Sequence, residues 1–108
     1  MMLRQVETVL KDIAKRLRAV EVENLVSVRA FGSRVRGDHT GWSDFDVLVV
    51  VRDRTPNVEK EIINIFVEEE DRFGLSFTPV IKDLRSFEME EKFHTPFYEA
   101  VTKEGVSV

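Results

Sequence analysis

The chain has 108 residues, a length that predicts one compact domain spanning residues 1–108 and burying roughly two-thirds of the surface of the unfolded chain. Cysteine is absent, which excludes disulfides and cysteine metal sites and makes the cytoplasm the simplest expected location. The formal net charge of -4 argues against a broad nucleic-acid-binding surface, and no apolar run reaches the ~18 residues that a membrane-spanning helix needs.

The first half of the chain predicts a helix followed by two strands. Apolar residues recur at three- and four-residue spacing from Leu3 to Val20, which is typical of an amphipathic helix packed on a core. The stretch Asn24–Phe31 predicts the first strand, and Gly32 ends it. After a turn and a loop, Asp44–Val51 predicts the second strand. Its continuous β-branched run indicates burial on both faces and therefore a central position in the sheet.

The second half of the chain predicts a helix, a third strand and a broken helix. Residues 55–74 predict the helix, which starts at a Thr-Pro pair and ends at a glycine. Leu75–Ile81 predicts a strand at a sheet edge or with a bulge, because Pro79 cannot donate a ladder hydrogen bond. Residues 82–103 predict a helix in two pieces, and the tail GVSV predicts a short strand. This order predicts an α/β (α+β) fold, with helices packed against a small mixed β-sheet.

Asp44 and Asp46 are conspicuous because they lie two residues apart in a strand that is otherwise apolar. Side chains two apart on a strand project from one face, where two neighbouring carboxylates repel each other and are costly to bury. A divalent cation relieves both costs, and Mg²⁺ takes one or two carboxylates together with water and phosphate oxygens. The pair therefore predicts a magnesium site at the start of the second strand.

A candidate phosphate-binding turn precedes the two aspartates. Gly32 lets the backbone approach a ligand closely, the N–H groups after it can point at a phosphate, and the Ser33 hydroxyl is a further donor. A small cationic cluster, formed by Arg29, Arg34 and Arg36, lies close by in sequence. A nucleoside triphosphate with bound Mg²⁺ satisfies both the turn and the aspartates.

Each of these features has a plainer explanation when it is taken alone. Asp44 could cap a turn and Asp46 could pair with Arg36, and a chain that used them structurally would bind no nucleotide. Trp42 could stack on a base or only cover the end of the sheet. The occurrence of all the features at short spacing favours the ligand site.

The stretches GSRVRG and SDFDVLVV together resemble the signature of the nucleotidyltransferase superfamily that includes DNA polymerase β, and the short chain resembles the minimal nucleotidyltransferases of bacteria and archaea. The resemblance implies that the turn holds the β- and γ-phosphates, that the aspartates bind two Mg²⁺ ions, and that a nucleoside monophosphate is transferred with release of pyrophosphate. Arg36 would brace the loop. The residues that take these roles are Gly32, Ser33, Arg36 and Ser43 for the nucleotide, and Asp44 and Asp46 for catalysis and the metal.

The chain departs from the superfamily at one position. Clearly catalytic members carry a third carboxylate on a later strand, and the matching stretch LSFTPVI offers only Ser76 or Thr78, with Glu70 and Asp83 outside it. Because a neutral hydroxyl binds Mg²⁺ weakly, the second metal site is expected to be impaired. Two functions stay open: an enzyme, and a non-catalytic module that neutralises a partner by direct contact.

The resemblance also implies partners. Minimal nucleotidyltransferases are often encoded beside a HEPN-domain protein, and act as the antitoxin that binds or adenylylates that ribonuclease. The expected partners are therefore ATP and a HEPN-domain protein, with a second copy of the chain as an open alternative and no membrane. The acidic run Glu68–Asp71 predicts a solvated helix face. The aromatic residues Phe87, Phe93, Phe97 and Tyr98 are expected to pack on the sheet or to face a partner.

Overall fold

The computed structural model describes residues 4–31 and 45–108. The described helices are α1 (Arg4–Val20), α2 (Pro56–Phe73), α3 (Leu84–Lys92) and α4 (Pro96–Glu104). The described strands are β1 (Leu25–Phe31), β2 (Phe45–Val51), β3 (Phe77–Asp83) and β4 (Val106–Ser107). The predicted order of helices and strands is confirmed within these ranges, and so is the predicted fold class.

The four described strands form one mixed sheet in the order β3-β2-β1-β4. Strand β1 pairs antiparallel with β2 and β4, whereas β2 and β3 run parallel. As predicted, β2 is internal and the Pro79 strand β3 lies at an edge. The predicted bounds of the third strand were wrong by two residues, because Lys82 and Asp83 continue the ladder beside β2 whereas Leu75 and Ser76 precede it.

The helix ends carry the capping interactions that their sequences predict. The Thr55 hydroxyl accepts a hydrogen bond from the Val58 N–H at 3.1 Å, which satisfies one of the free donors at the start of α2. Gly74 follows α2 with φ 69°, a left-handed conformation that glycine adopts without a steric cost, and its N–H bonds the Glu70 carbonyl. These local signals explain why the bounds of α2 were predictable from sequence.

One face of the sheet carries the main core. Helices α1 and α2 pack on this face, and their apolar stripes meet the alternate side chains of the strands that point toward them. The largest buried contributions come from Leu10, Ile13, Leu17, Val47, Val49, Ile62, Phe66 and Phe77. Because the two stripes and one strand face are all apolar, this side of the molecule forms one continuous hydrophobic core.

The opposite face of the sheet carries helices α3 and α4 and a smaller core. Leu48 and Val50 of β2 are buried there against Val101 of α4. Half-buried side chains surround this cluster: Phe31, Val80, Leu84, Phe87 and Phe97. The β-branched run of β2 is therefore buried on both faces, as its sequence predicts. No helix within residues 4–31 and 45–108 is long and apolar enough to cross a membrane.

Glu69 corrects the prediction that the acidic run of α2 is a solvated face. Its side chain is fully buried, and its Oε1 lies 3.5 Å from Nη1 of Arg16 on α1. Neither carboxylate oxygen has a well-formed hydrogen bond among the described residues. Burial, and then the neighbouring carboxyl of Asp12, raise the pKa of Glu69, against the opposing attraction of Arg16. The prediction holds for Glu68 and Asp71, which are exposed, and is wrong for Glu69, which turns toward α1.

Candidate active site

Asp46 lies near the start of β2, on the sheet face that α3 and α4 cover. It alternates with buried Phe45 and Val47, so its side chain shares a face with Leu48 rather than with the main core. Its register partner on β1 is Phe31. Asp46 is half-buried, so a carboxylate stands at the rim of the smaller core.

The other predicted site residues lie outside the described part of the chain. They are Gly32, Ser33, Arg36, Ser43 and Asp44. The roles given to them therefore stay predictions. What the structure does describe is the frame around them: β1 ends at Phe31, β2 begins at Phe45, and these ends adjoin because Phe31 pairs with Asp46. The predicted phosphate-binding turn thus connects two strand ends that meet at the position of Asp46.

Thr78 occupies the strand position next to Asp46. The two residues are register partners in the parallel pair of β2 and β3, and side chains at such positions project from the same face. Ser76, the other candidate, precedes β3 and accepts the Phe45 N–H through its backbone carbonyl at 3.0 Å. Between the two hydroxyl residues, the sheet register therefore selects Thr78 as the neighbour of the aspartate.

Neither of the more distant carboxylates lies where it could replace a third site residue. Asp83 pairs with Val51, five residues along β3 from Thr78, which corresponds to about 17 Å of extended strand. Its carboxylate accepts the Ser86 N–H at 2.7 Å, and that hydrogen bonding holds the pKa of Asp83 below its usual range. Glu70 belongs to α2, the helix that packs on the other face of the sheet. Neither carboxylate therefore lies beside Asp46 in the sheet.

An aromatic pair and a lysine border the same face of the sheet. Phe31 and Phe97 meet edge to face with ring centroids 5.6 Å apart, and Lys82 Nζ lies 4.9 Å from the centroid of the Phe97 ring. Lys82 follows Thr78 by four residues on β3, so the two side chains share a face. The sequence analysis assigned Lys82 no role. Its spacing of four residues from Thr78 was the signal that could have placed it on the face of Asp46.

The described donors fit a hard divalent cation. The Asp46 carboxylate and the Thr78 hydroxyl are both oxygen ligands, the type that Mg²⁺ prefers, and Mg²⁺ keeps several waters or phosphate oxygens in its shell. Within residues 4–31 and 45–108 no three or more His, Asp or Glu side chains come together as a metal cluster. A cation held here would thus take one carboxylate from the described strands, and Asp44 is the predicted second.

Comparison with known proteins identifies the family of this fold and site. The sequence profile of the family described as "Nucleotidyltransferase domain" matches residues 6–108. The chain belongs to the nucleotidyltransferase domain family. By sequence it is 29% identical over 101 residues to a Methanocaldococcus jannaschii protein named "Putative protein adenylyltransferase MJ0141", across 93% of this chain and 95% of that one. The family predicted from the glycine-serine turn and the aspartates is thereby confirmed.

Solved structures share the nucleotidyltransferase fold of this chain. One, described as a "putative minimal nucleotidyltransferase", superposes with a TM-score of 0.65 at 24% identity. The superposition covers 100% of this chain and 97% of the other chain. Another is a complex of a tri-AMPylated Shewanella oneidensis HEPN toxin with an MNT antitoxin. It gives a TM-score of 0.53 at 18% identity, over 94% of this chain and 69% of that one. At these identities the likeness establishes the fold.

Proposed function

We propose that this nucleotidyltransferase transfers AMP from Mg-ATP to a side chain of a protein acceptor, with a HEPN-domain partner as the first candidate. The observation that carries the proposal is the position of Asp46. It is a carboxylate held on the smaller-core face of a rigid central strand, where the strand ends of the predicted phosphate-binding turn meet. A site built on a sheet holds its ligand groups in place with little reorganisation.

The chain's own residues divide the work of such a transfer. Asp46, with the predicted Asp44, would hold Mg²⁺, which supplies charge stabilisation to the triphosphate when it is bound. Gly32 and Ser33 would bind the β- and γ-phosphates through backbone and hydroxyl donors, and so fix the leaving group. An acceptor oxygen would then attack the α-phosphorus as the bond to the pyrophosphate oxygen breaks. Positioning of the two reactants, together with electrostatic stabilisation of the transferred group, accounts for nearly all of the rate gain expected in phosphoryl-type transfers.

The relatives support the choice of adenylyl group and of a protein acceptor. The Methanocaldococcus jannaschii relative is named a protein adenylyltransferase, and it matches this chain over nearly its whole length. The Shewanella oneidensis complex joins an AMPylated HEPN toxin to its MNT antitoxin, and its fold is shared by this chain. Both names therefore favour a protein acceptor over a small metabolite.

Calorimetric titration of ATP, first with Mg²⁺ and then with EDTA, tests the nucleotide site. We expect Mg-dependent binding by the wild-type protein, and a loss of affinity of about a hundredfold or more for Asp46→Asn, since the variant keeps the shape of the side chain but loses its charge. The exposed variant Glu68→Gln should bind as the wild type does. Equal affinity of Asp46→Asn and wild type would refute the site. Transfer of labelled AMP to a purified HEPN-domain protein then tests the acceptor.

Thr78 favours a second function, that of a binding module without catalysis. A neutral hydroxyl stands directly beside Asp46, at the strand position where a further carboxylate could complete a second metal site. Because hydroxyls bind Mg²⁺ weakly, the nucleotide could be held with one metal while transfer stays slow. In that case the chain would neutralise its partner by contact, and the nucleotide would stabilise the binding form.

Substitution of Thr78 by aspartate distinguishes the two functions. We expect Thr78→Asp to raise the rate of AMP transfer by about tenfold or more, because it adds a carboxylate beside Asp46, as a third one after the predicted Asp44. The matched control is Ser76→Asp, which places the same charge before the strand and should leave the rate unchanged. A Thr78→Asp protein that gains no activity, although it binds Mg²⁺ more tightly, would show that this position does not limit the reaction.

A further inference from the structure

A pocket with a volume of about 210 Å³ lies on the side of the sheet that α3 and α4 cover. It is formed where β1 and β4 meet the two helices. Of its described lining residues, Arg29 belongs to the cationic cluster noted in the sequence, and none is among the residues predicted to hold the nucleotide or the metal. The residues that line it are Ser27, Arg29, Phe87, Glu91, Tyr98, Thr102 and Ser107.

Arg29 brings a positive charge to the pocket. It lies mid-strand in β1, half-buried, between its register partners Leu48 and Ser107. Within the part of the chain that the structure describes, its guanidinium makes neither an ion pair nor a hydrogen bond. A guanidinium removed from bulk water is stabilised by a carboxylate or phosphate that accepts its N–H donors. The pocket therefore presents a cation ready for an oxyanion.

Hydroxyl groups surround this cation. Ser27 lies on the same strand two residues away and so on the same face, while Ser107 is the strand partner of Arg29 across the ladder to β4. Thr102 approaches from α4, where its hydroxyl donates to the Tyr98 carbonyl at 2.9 Å. The Ser27 and Ser107 hydroxyls can each donate to a ligand, so the oxyanion would meet hydroxyl donors from two strands. The Thr102 proton is used by the Tyr98 carbonyl, so the Thr102 oxygen can only accept a hydrogen bond.

The opposite wall of the pocket carries a negative charge and two aromatic rings. Tyr98 donates its hydroxyl to Glu91 Oε2 at 3.1 Å, and this hydrogen bond is the main cause of the raised pKa of Tyr98. The Phe87 and Tyr98 rings pack with centroids 5.8 Å apart and provide an apolar surface. Among the described residues that line the pocket, Arg29 and Glu91 carry opposite charges, which favours a ligand that carries both signs over a dianion such as phosphate.

We propose that this pocket binds a free amino acid as a zwitterion. Its carboxylate would pair with Arg29, its ammonium group would face Glu91, and an apolar side chain would lie against Phe87 and Tyr98. A planar guanidinium matches a carboxylate in a two-bond geometry, so Arg29 determines the orientation of the ligand.

Titration of the ¹⁵N-labelled protein with L-leucine, sodium acetate and inorganic phosphate, followed by NMR, tests the proposal. Leucine should give saturable shifts at the backbone amides of Ser27, Arg29 and Ser107. Acetate should shift the same signals with an affinity weaker by about tenfold or more, because it lacks the ammonium group. Phosphate should give no saturation. The proposal would be overturned if phosphate bound with a higher affinity than leucine, or if none of the three probes gave saturable shifts.

Two variants and a control assign the two charges. Arg29→Met keeps the length of the side chain and should abolish the leucine shifts. Glu91 is exposed, so Glu91→Gln should leave the fold intact. The variant should lower the affinity for leucine by about tenfold and leave the affinity for acetate unchanged. Arg85→Met removes an exposed arginine from α3 outside the pocket and should behave as the wild type. Leucine binding that both pocket variants retain at wild-type strength would refute the assignment.

Discussion

The two faces of the sheet differ in how they use their side chains. The face toward α1 and α2 is mostly apolar, and its side chains from the central strand β2 are all buried. The face toward α3 and α4 has a small apolar cluster around Leu48 and Val50, and polar groups at both of its margins: Asp46 and Thr78 at one, Ser27 and Arg29 at the other. One central strand, β2, supplies the apolar centre of both faces.

This division shows how a chain of 108 residues supports a polar site with a single sheet. Polar groups cost free energy when they are buried, and a small domain has little stability in reserve. The continuous core on one face offsets that cost, so the other face can keep half-buried charges at Asp46 and Arg29. We therefore expect stability to depend mainly on the first face and ligand binding on the second, and the following substitutions measure that separation.

The largest expected effect comes from removing a ring from the main core. Phe66 is 1% exposed and packs on the Phe77 ring with centroids 6.0 Å apart, so Phe66→Ala should lower the free energy of unfolding by about 3–5 kcal/mol. Phe97 is half-buried on the opposite face, and Phe97→Ala should cost only about 1–2 kcal/mol. Urea unfolding of both variants provides the comparison. Equal losses would mean that the two faces contribute alike to stability.

Glu69 is a fully buried charged residue on the side of the sheet that α1 and α2 cover, and its replacement should sharpen the contrast between the two faces. Because the pKa of Glu69 is raised on folding, its contribution to stability is present below the usual glutamate pKa and is lost as the pH rises through the folded value. Glu69→Gln should therefore stabilise the protein at pH 7 by on the order of 1 kcal/mol, and not at acidic pH. Thermal unfolding across pH measures both.

Two features control this pH experiment. Glu68→Gln alters the exposed neighbour and should change stability by no more than about 0.5 kcal/mol at any pH. The contribution of Asp83 to stability has the opposite pH dependence, because its pKa is lowered on folding. It is fully present above the ordinary aspartate pKa and is lost as the pH falls through the pKa of the folded state. A Glu69→Gln protein that is less stable than wild type at neutral pH would show that the Arg16 pairing outweighs the cost of burial.

The smallest expected effect on stability comes from removing the N-cap hydroxyl of one helix on each face of the sheet. Thr55→Ala removes the hydroxyl that accepts the Val58 N–H at the start of α2, and should lower global stability by about 1 kcal/mol. Thr95→Ala removes the equivalent bond to the Tyr98 N–H at the start of α4, and should mainly speed local exchange of the α4 amides. Hydrogen exchange distinguishes the two effects, and Thr→Ser at each position should restore the wild-type pattern.

Most of the fold could be predicted from sequence because its signals are local. The apolar stripe of α1, the Thr-Pro start of α2 and the glycine at its end each act within a few residues. Pro79 correctly marked the edge strand, since a missing donor is a property of one residue. Glu69 was misjudged for the converse reason: its burial depends on α1, which lies more than forty residues earlier in the chain.

The sites divide in the same way. The sequence by itself determined the family, through its glycine-serine turn and paired aspartates, and it determined that Asp46 and Leu48 share a face, because a strand repeats every two residues. Only the tertiary structure decided that Thr78 is the neighbour of Asp46, and that Arg29 faces the same pocket as Glu91. Strand register and helix placement depend on contacts between segments that are distant in the chain, and no local pattern encodes such contacts.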